Sequence, residues 1–291
     1  MEKYRIVTDS TSDLPLEYVE KNKLGAYPLK VHIGNDVFDD DLGRSISFKD
    51  FYNRLRAGET ASTSQLNPND FLDSFGNLLR EGFDIFYIAF SSALSGCYNS
   101  AVLAREELLA DYPDRRIAII DSLSASLGEG YLVDLALEKQ AEGASFDELC
   151  SYVEGVKLKV VHLFTVDDLH HLQRGGRISH TSAALGSLMG IKPILHVNDE
   201  GKLAPVAKIR GRNKALETIA SKIAEQSVNP GNNKLFISHG DCIEDVNLLI
   251  GMVKAKVSFK EIMVNFIGPV IGAHAGQGTI AVFFLAENRT Y

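Results

Sequence analysis

The sequence predicts an α/β fold in two domains: an N-terminal parallel-sheet domain over residues 1–162 and a C-terminal mixed-sheet domain over residues 163–291. Three observations carry this. The apolar runs Tyr4–Val7, Ile85–Phe90 and Ile117–Ile120 are each followed by a hydroxyl-rich turn and a helix-like stretch. Helical crossovers of that kind imply parallel strands with right-handed connections. Beyond Val160 a hairpin signal, Asn198-Asp199-Glu200-Gly201, interrupts the alternation and predicts a mixed sheet.

Tyr4–Thr8 reads as the first strand and Pro15–Asn22 as a short helix opened by Asp13 and Pro15. Gly25–His32 and Val37–Phe38 flank the turn residues Gly34-Asn35 as a hairpin. Ser47 caps a helix through Ala57, with Phe48, Phe51, Tyr52 and Leu55 at helical spacing. Asn67-Pro68 supplies an N-cap and a first-position proline for a helix over Pro68–Arg80. Strand Ile85–Phe90, helix Leu94–Ala110 and strand Ile117–Ile120 complete two further units. Gly130–Glu142 and Phe146–Lys159 are helical, the second opened by a Ser145/Glu148 capping box. Strand Val161–Thr165 opens the second half, and Pro193–Val197 pairs with Lys202–Ala207. Helix Arg212–Gln226, strand Leu235–Ser238, helix Glu244–Ala255 and strands Glu261–Phe266 and Thr279–Leu285 follow.

Composition excludes several function classes. A net charge of −8, with no basic stripe to offset it, argues against a nucleic-acid partner. Cys97, Cys150 and Cys242 are far apart and lack CxxC spacing, so they read as reduced thiols of a cytosolic protein. The N-terminus runs straight into a strand, which predicts no signal peptide, and no apolar run reaches the ~18 residues of a membrane span. No metal-ligand spacing, Walker A loop or dinucleotide fingerprint is present, so neither metal nor cofactor is expected.

Four loops are unusually rich in hydroxyls: Thr8–Asp13, Thr63-Ser64-Gln65, Ser91–Gly96 and Asp121–Ser126. Turns after parallel strands gather at one sheet edge, where ligands bind, so these loops predict a rim of neutral donors. Such a rim suits a buried carboxylate or carbonyl. Thr63 is a ligand contact or a loop hydroxyl bonded to nearby backbone. Ser95 is a ligand contact, an N-cap or a nucleophile, but it lacks the Gly-x-Ser-x-Gly elbow. Arg174-Gly175-Gly176-Arg177 forms a turn or an anion nest. Alternation puts Lys208 and Arg210 on one strand face. The run Gly268–Gly278 holds His274 in what reads as a tight loop approaching a ligand closely.

Taken in order, several motifs together resemble the DegV family, which includes the fatty acid-binding subunits of bacterial fatty acid kinase (FakB-type proteins). They are Thr8-Asp9-Ser10-Thr11-Ser12-Asp13-Leu14-Pro15, Thr63-Ser64-Gln65, Ser91-Ser92-Ala93-Leu94-Ser95-Gly96, Gly175-Gly176-Arg177-Ile178-Ser179, Ile191-Lys192-Pro193-Ile194 and Ile271-Gly272-Ala273-His274. The resemblance spans essentially the whole chain. It implies one long-chain fatty acid held between the two domains, with Thr63 and Ser95 bonding the carboxylate. Arg210 and His274 would stand near the head group and the transferred phosphoryl, with Ser92 and Ser124 as further rim hydroxyls.

The implied protein has no catalytic site of its own. It presents the acid to a separate ATP-binding kinase subunit, which makes acyl phosphate for phospholipid synthesis, and it touches membrane surfaces transiently. The sequence departs from the family pattern at Leu66-Asn67, Cys97 and Gln277. About 15 buried methylenes at ~0.8 kcal/mol each would contribute on the order of 12 kcal/mol gross, so an apolar tunnel supplies most of the affinity. Val102 and Leu103, with Leu185, Leu188 and Met189 of a helix over Thr181–Met189, are candidate tunnel residues. Two other classes stay open: a lipid-binding sensor without phosphoryl transfer, and a serine hydrolase using Ser95.

Overall fold

The computed structural model describes residues 3–179 and 190–289. Its first sheet is parallel, with strand order β2-β1-β6-β7 from Gly25–Tyr27 (β2), Tyr4–Asp9 (β1), Asp84–Ala89 (β6) and Ile117–Asp121 (β7). All six residues of β6 are buried, as a strand covered on both faces requires. Ile85, Tyr87 and Ala89 pack with helices α3 (Pro68–Arg80) and α4 (Cys97–Asp111). Phe86 and Ile88 pack on the opposite face with α5 (Leu127–Ala141) and α6 (Phe146–Val156). The capping boxes at Asn67/Asp70 and Ser145/Glu148 form, which fixes where α3 and α6 begin.

The second large sheet is mixed, with order β10-β9-β8-β13-β11-β12. Its strands are Leu203–Arg210 (β10), Ile191–Val197 (β9), Val160–Thr165 (β8), Ile280–Leu285 (β13), Lys234–His239 (β11) and Glu261–Phe266 (β12). One face is covered by α8 (Arg212–Gln226) and α9 (Ile243–Lys254). The other turns toward α5, which is buried at every residue from Leu127 to Ala136. A helix buried all round belongs in a core. Leu132 and Val133 share their cluster with Phe86 of the first sheet and with Phe164, Phe236 and Phe283 of the second. The two halves therefore share a core across α5.

A third sheet, β4-β3-β5, departs from the sequence reading. The expected single strand Gly25–His32 breaks at Pro28, which has no N–H for a ladder. Its first part, β2, joins the parallel sheet, and Lys30–Ile33 (β3) pairs antiparallel with Asp36–Asp39 (β4) and Ala61–Ser64 (β5). Helix α2 (Phe48–Arg56) packs Phe51, Tyr52 and Leu55 against this small sheet, together with Ala273 from the far end of the chain. Residue 162 lies inside β8 rather than at a junction. Among the described residues, no helix is long and apolar enough to cross a membrane.

Candidate functional site

The site begins with β5. Thr63 pairs with Val31, and β5 alternates half-buried with exposed residues, so Thr63 points inward and Ser64 outward. The segment read as a loop is thus an edge strand. Opposite it lies α10 (Pro269–Ala275), where a tight loop was expected. Pro269 stands in the first turn of α10, and Tyr52 Oη donates to Ile267 O (2.9 Å), anchoring the helix entry to α2. His274 falls in the last turn, and its Nε2 lies 2.9 Å from Thr63 Oγ1.

Two further turns close around this pair. Gln65 Oε1 accepts from Gly96 N (2.8 Å), tying the end of β5 to the turn that carries Ser95. Ser95 Oγ accepts from Cys97 N (3.3 Å) at the start of α4. Helix α7 (His170–Arg174) leads into Gly175-Gly176-Arg177. A Cβ on Gly175 would stand 2.1 Å from His274 Nδ1, so the imidazole packs directly on bare backbone there. Arg177 donates from Nε and Nη2 to Leu94 O (3.2 and 3.0 Å), just before Ser95.

These groups form the polar end of a cavity of about 400 Å³. Its remaining wall is largely apolar, including Phe90, Phe164, Ile271, Ala281 and Phe283. That volume lies within the ~300–1,000 Å³ range of small-molecule sites. A second depression lined by His32, Thr60, Ser62 and Arg174 shares Thr63, Arg177 and His274 with the cavity. The polar end thus borders both.

Burial, with the charges of Arg177 and Arg174, pushes the His274 pKa down to about 4, so the ring is neutral near pH 7. A neutral imidazole offers one donor and one acceptor. Burial also lowers the Arg177 pKa, and among the described residues no carboxylate pairs with its guanidinium. The polar end therefore presents one hydroxyl–imidazole pair, a second hydroxyl and a positive charge. An amphipathic anion suits it better than a neutral head group.

Other candidates fall elsewhere. Arg210 is exposed at the end of β10 and does not line the cavity. Ser92 Oγ donates to Asp121 Oδ2 (2.5 Å), and Ser124 Oγ accepts from Arg289 Nη2 (2.8 Å), so neither hydroxyl reaches the cavity. Ser126 lines it instead. Val102 is half-buried in the core beside the first sheet, and Leu103 is exposed, so neither lines the cavity. Leu185, Leu188 and Met189 lie outside the described residues. Leu66 and Cys97 are buried in the core beside α3 and α4, and Gln277 is half-buried. Among the described residues no histidine is bonded to Ser95, so a Ser–His nucleophile pair is not formed there. Arg177 was legible only as part of a Gly-Gly turn.

The hydroxyl-rich loop Thr8–Asp13 is not rim but core. Asp9 Oδ2 accepts from Tyr87 Oη (2.6 Å), and Asp13 Oδ1 accepts from Gly268 N (2.8 Å). Thr8 Oγ1 lies within reach of both Ile88 O (3.0 Å) and Glu129 Oε1 (2.8 Å). Thr11 Oγ1 similarly meets Asp9 Oδ1 (2.5 Å) and Glu129 Oε2 (2.9 Å). Two hydroxyl hydrogens cannot satisfy four acceptors, which favours a proton on one of the carboxyl groups. Burial accordingly raises the pKa of Asp9, Asp13 and Glu129.

Two sheets joined through a buried helix, around a largely apolar cavity with a polar, cationic end, define an α/β fold whose cavity is shaped for a small amphipathic molecule. Comparison with known proteins gives the family. The model of the DegV family, described as uncharacterised proteins, matches residues 3–287, and the chain belongs to that family. A DegV domain-containing protein of Clostridium perfringens is 46% identical over 99% of both chains. Among solved structures, one described as fatty acid binding of a DegV family protein from Thermus thermophilus has a TM-score of 0.87 at 30% identity. It covers 98% of this chain and 99% of that one. A stearic acid-binding protein from Eubacterium ventriosum has the same TM-score, 0.87, at 28% identity, covering 98% of each chain.

Proposed function

We propose that this protein binds one long-chain fatty acid with its chain in the apolar cavity and its carboxylate at Thr63, Ser95, His274 and Arg177. The observation that carries this reading is the Thr63–His274 pair beside the Arg177 guanidinium, which no carboxylate among the described residues pairs, at one end of a largely apolar cavity. The fatty acids named for the Thermus and Eubacterium relatives support the ligand class. A buried carboxylate without donors is strongly disfavoured, and these groups supply donors and charge together.

The protein further presents the carboxylate to a separate ATP-dependent kinase subunit for acyl-phosphate formation. Supporting this, the second depression borders Thr63, Arg177 and His274, and Arg174 adds charge there. Phosphoryl transfer brings additional negative charge to the carboxylate, which guanidinium groups stabilise. Reconstitution with a fatty acid, ATP and the kinase subunit tests the reading. Acyl phosphate dependent on this protein is the expected product. Fatty-acid binding without turnover would instead mark a lipid sensor.

A further inference from the structure

Among the described residues, the cavity lining stops along the mixed sheet at a single transverse row. Phe283 of β13 stands opposite His162 of β8, and Leu203 of β10 stands opposite Val197 of β9. Leu163 pairs with His196, which places Val197 level with His162. All four line the cavity, while the next inward-facing pair, Val160 and Leu285, does not. At ~3.4 Å per residue, this row lies roughly 14 Å along the chain from Thr279, which precedes β13 and lines the cavity close to the His274 helix.

His162 is the anomaly in that apolar row. Its Nδ1 donates to Val160 O (3.0 Å), which leaves Nε2 as the bare acceptor, and among the described residues Nε2 has no hydrogen-bond partner. The ring stands edge-on to Phe283, with centroids 5.2 Å apart. Nε2 tucks into the notch left by Gly128 at the start of α5: a Cβ there would lie 2.1 Å from Nε2 and 2.8 Å from Phe283 Cδ1. An unpartnered buried acceptor is unfavourable, so packing, and not hydrogen bonding, keeps the ring in place.

The geometry points to His162, seated in the Gly128 notch, as the end-stop that sets the greatest acyl length the cavity accepts. This rests on the fatty-acid reading above. It predicts opposite effects from two small substitutions. His162→Ala removes an imidazole's volume from the end wall and makes room for on the order of two methylenes. Gly128→Ala forces the ring out of its notch and toward the cavity, shortening it.

The test loads delipidated full-length protein with an equimolar mixture of saturated C12, C14, C16, C18 and C20 fatty acids and reads the bound species by native mass spectrometry. For His162→Ala the bound distribution should shift to longer acids, by about fourfold in relative affinity per newly accommodated methylene. For Gly128→Ala it should shift to shorter ones. His162→Ala/Gly128→Ala relieves the clash with the imidazole and leaves only the 2.8 Å approach to Phe283 Cδ1, and it should fold and show a profile closer to the parent. A parental distribution in His162→Ala would overturn the end-stop, whatever Gly128→Ala does. A parent protein that binds none of the acids would overturn the fatty-acid reading itself, a separable outcome.

Discussion

Thr63 Oγ1 and His274 Nε2, separated by 211 residues in the chain, meet at 2.9 Å. The contact joins β5 of the small antiparallel sheet to the last turn of α10, and α2 holds both in one cluster. It sets the polar end of the cavity. Because burial keeps the imidazole neutral, the pair adds no charge of its own, and Arg177 supplies the positive charge.

Thr63→Ala combined with Ser95→Ala should weaken fatty-acid binding while leaving the fold intact, since both side chains are only half-buried. Hydrogen bonds to a charged group contribute roughly 1.5–3 kcal/mol each, less where water replaces them. Isothermal titration with a melting curve as control reads the effect. Unchanged affinity in a protein with parental melting would take both hydroxyls out of the site.

Arg177 and Arg210 should separate cleanly. Arg177→Gln removes a charge at the cavity and its bonds to Leu94 O, so binding should weaken at least tenfold, about 1.4 kcal/mol. Arg177→Lys keeps charge and should recover part of the loss. Arg210 is exposed outside the lining, so Arg210→Ala should leave affinity within a few-fold of the parent. Any effect of Arg210→Ala on acyl-phosphate formation should then vanish at high kinase-subunit concentration, as expected of a docking residue. Equal binding losses in the two variants would contradict the placement.

His274 should leave a signature on the acid side. Its folded pKa of about 4 lies below the ordinary value of 6.5, so the unfolded chain binds more protons between these pH values. Stability must therefore fall as pH drops from about 6.5 to about 4, by at most on the order of 3 kcal/mol. His274→Gln should flatten that limb of the melting-temperature profile. A profile unchanged by the substitution would mean that the imidazole is not held neutral by burial.

Asp40 acts with the opposite sign. Burial pushes its pKa up to about 7, against the bond it accepts from Val270 N at 3.0 Å. The folded form keeps a proton that the unfolded chain loses near pH 3.8, so the stability this proton confers is full below that value and is lost as pH rises through 7. Asp40→Asn retains an acceptor for Val270 N and cannot ionise. It should therefore hold its melting temperature better than the parent between pH 5 and 8; a parallel decline would contradict the assignment.

The sequence was most informative where local signals and tertiary packing agree. Helix bounds at Pro68–Arg80 and Arg212–Gln226 coincide with those observed, the first because Asn67 and Pro68 specify its start. Two site elements were misread because their local signals are weak. Ala61-Ser62-Thr63-Ser64 is small and polar, yet it is a strand because β3 offers it an edge. Gly268–Gly278 contains four glycines and reads as loop, yet α10 forms within it because α2 and β5 pack around it. Arg177 was obscured by a glycine turn whose purpose depends on His274, almost 100 residues later. The loop Thr8–Asp13 resembles a rim in sequence, and only its burial against Glu129 shows it to be core.

The central claim is tested most directly by native mass spectrometry of the protein purified without added lipid. The account predicts a one-to-one mass increment equal to a long-chain fatty acid, depleted in the Thr63→Ala/Ser95→Ala double variant. A parent protein that shows no such adduct, and acquires none when incubated with a long-chain fatty acid, would contradict it.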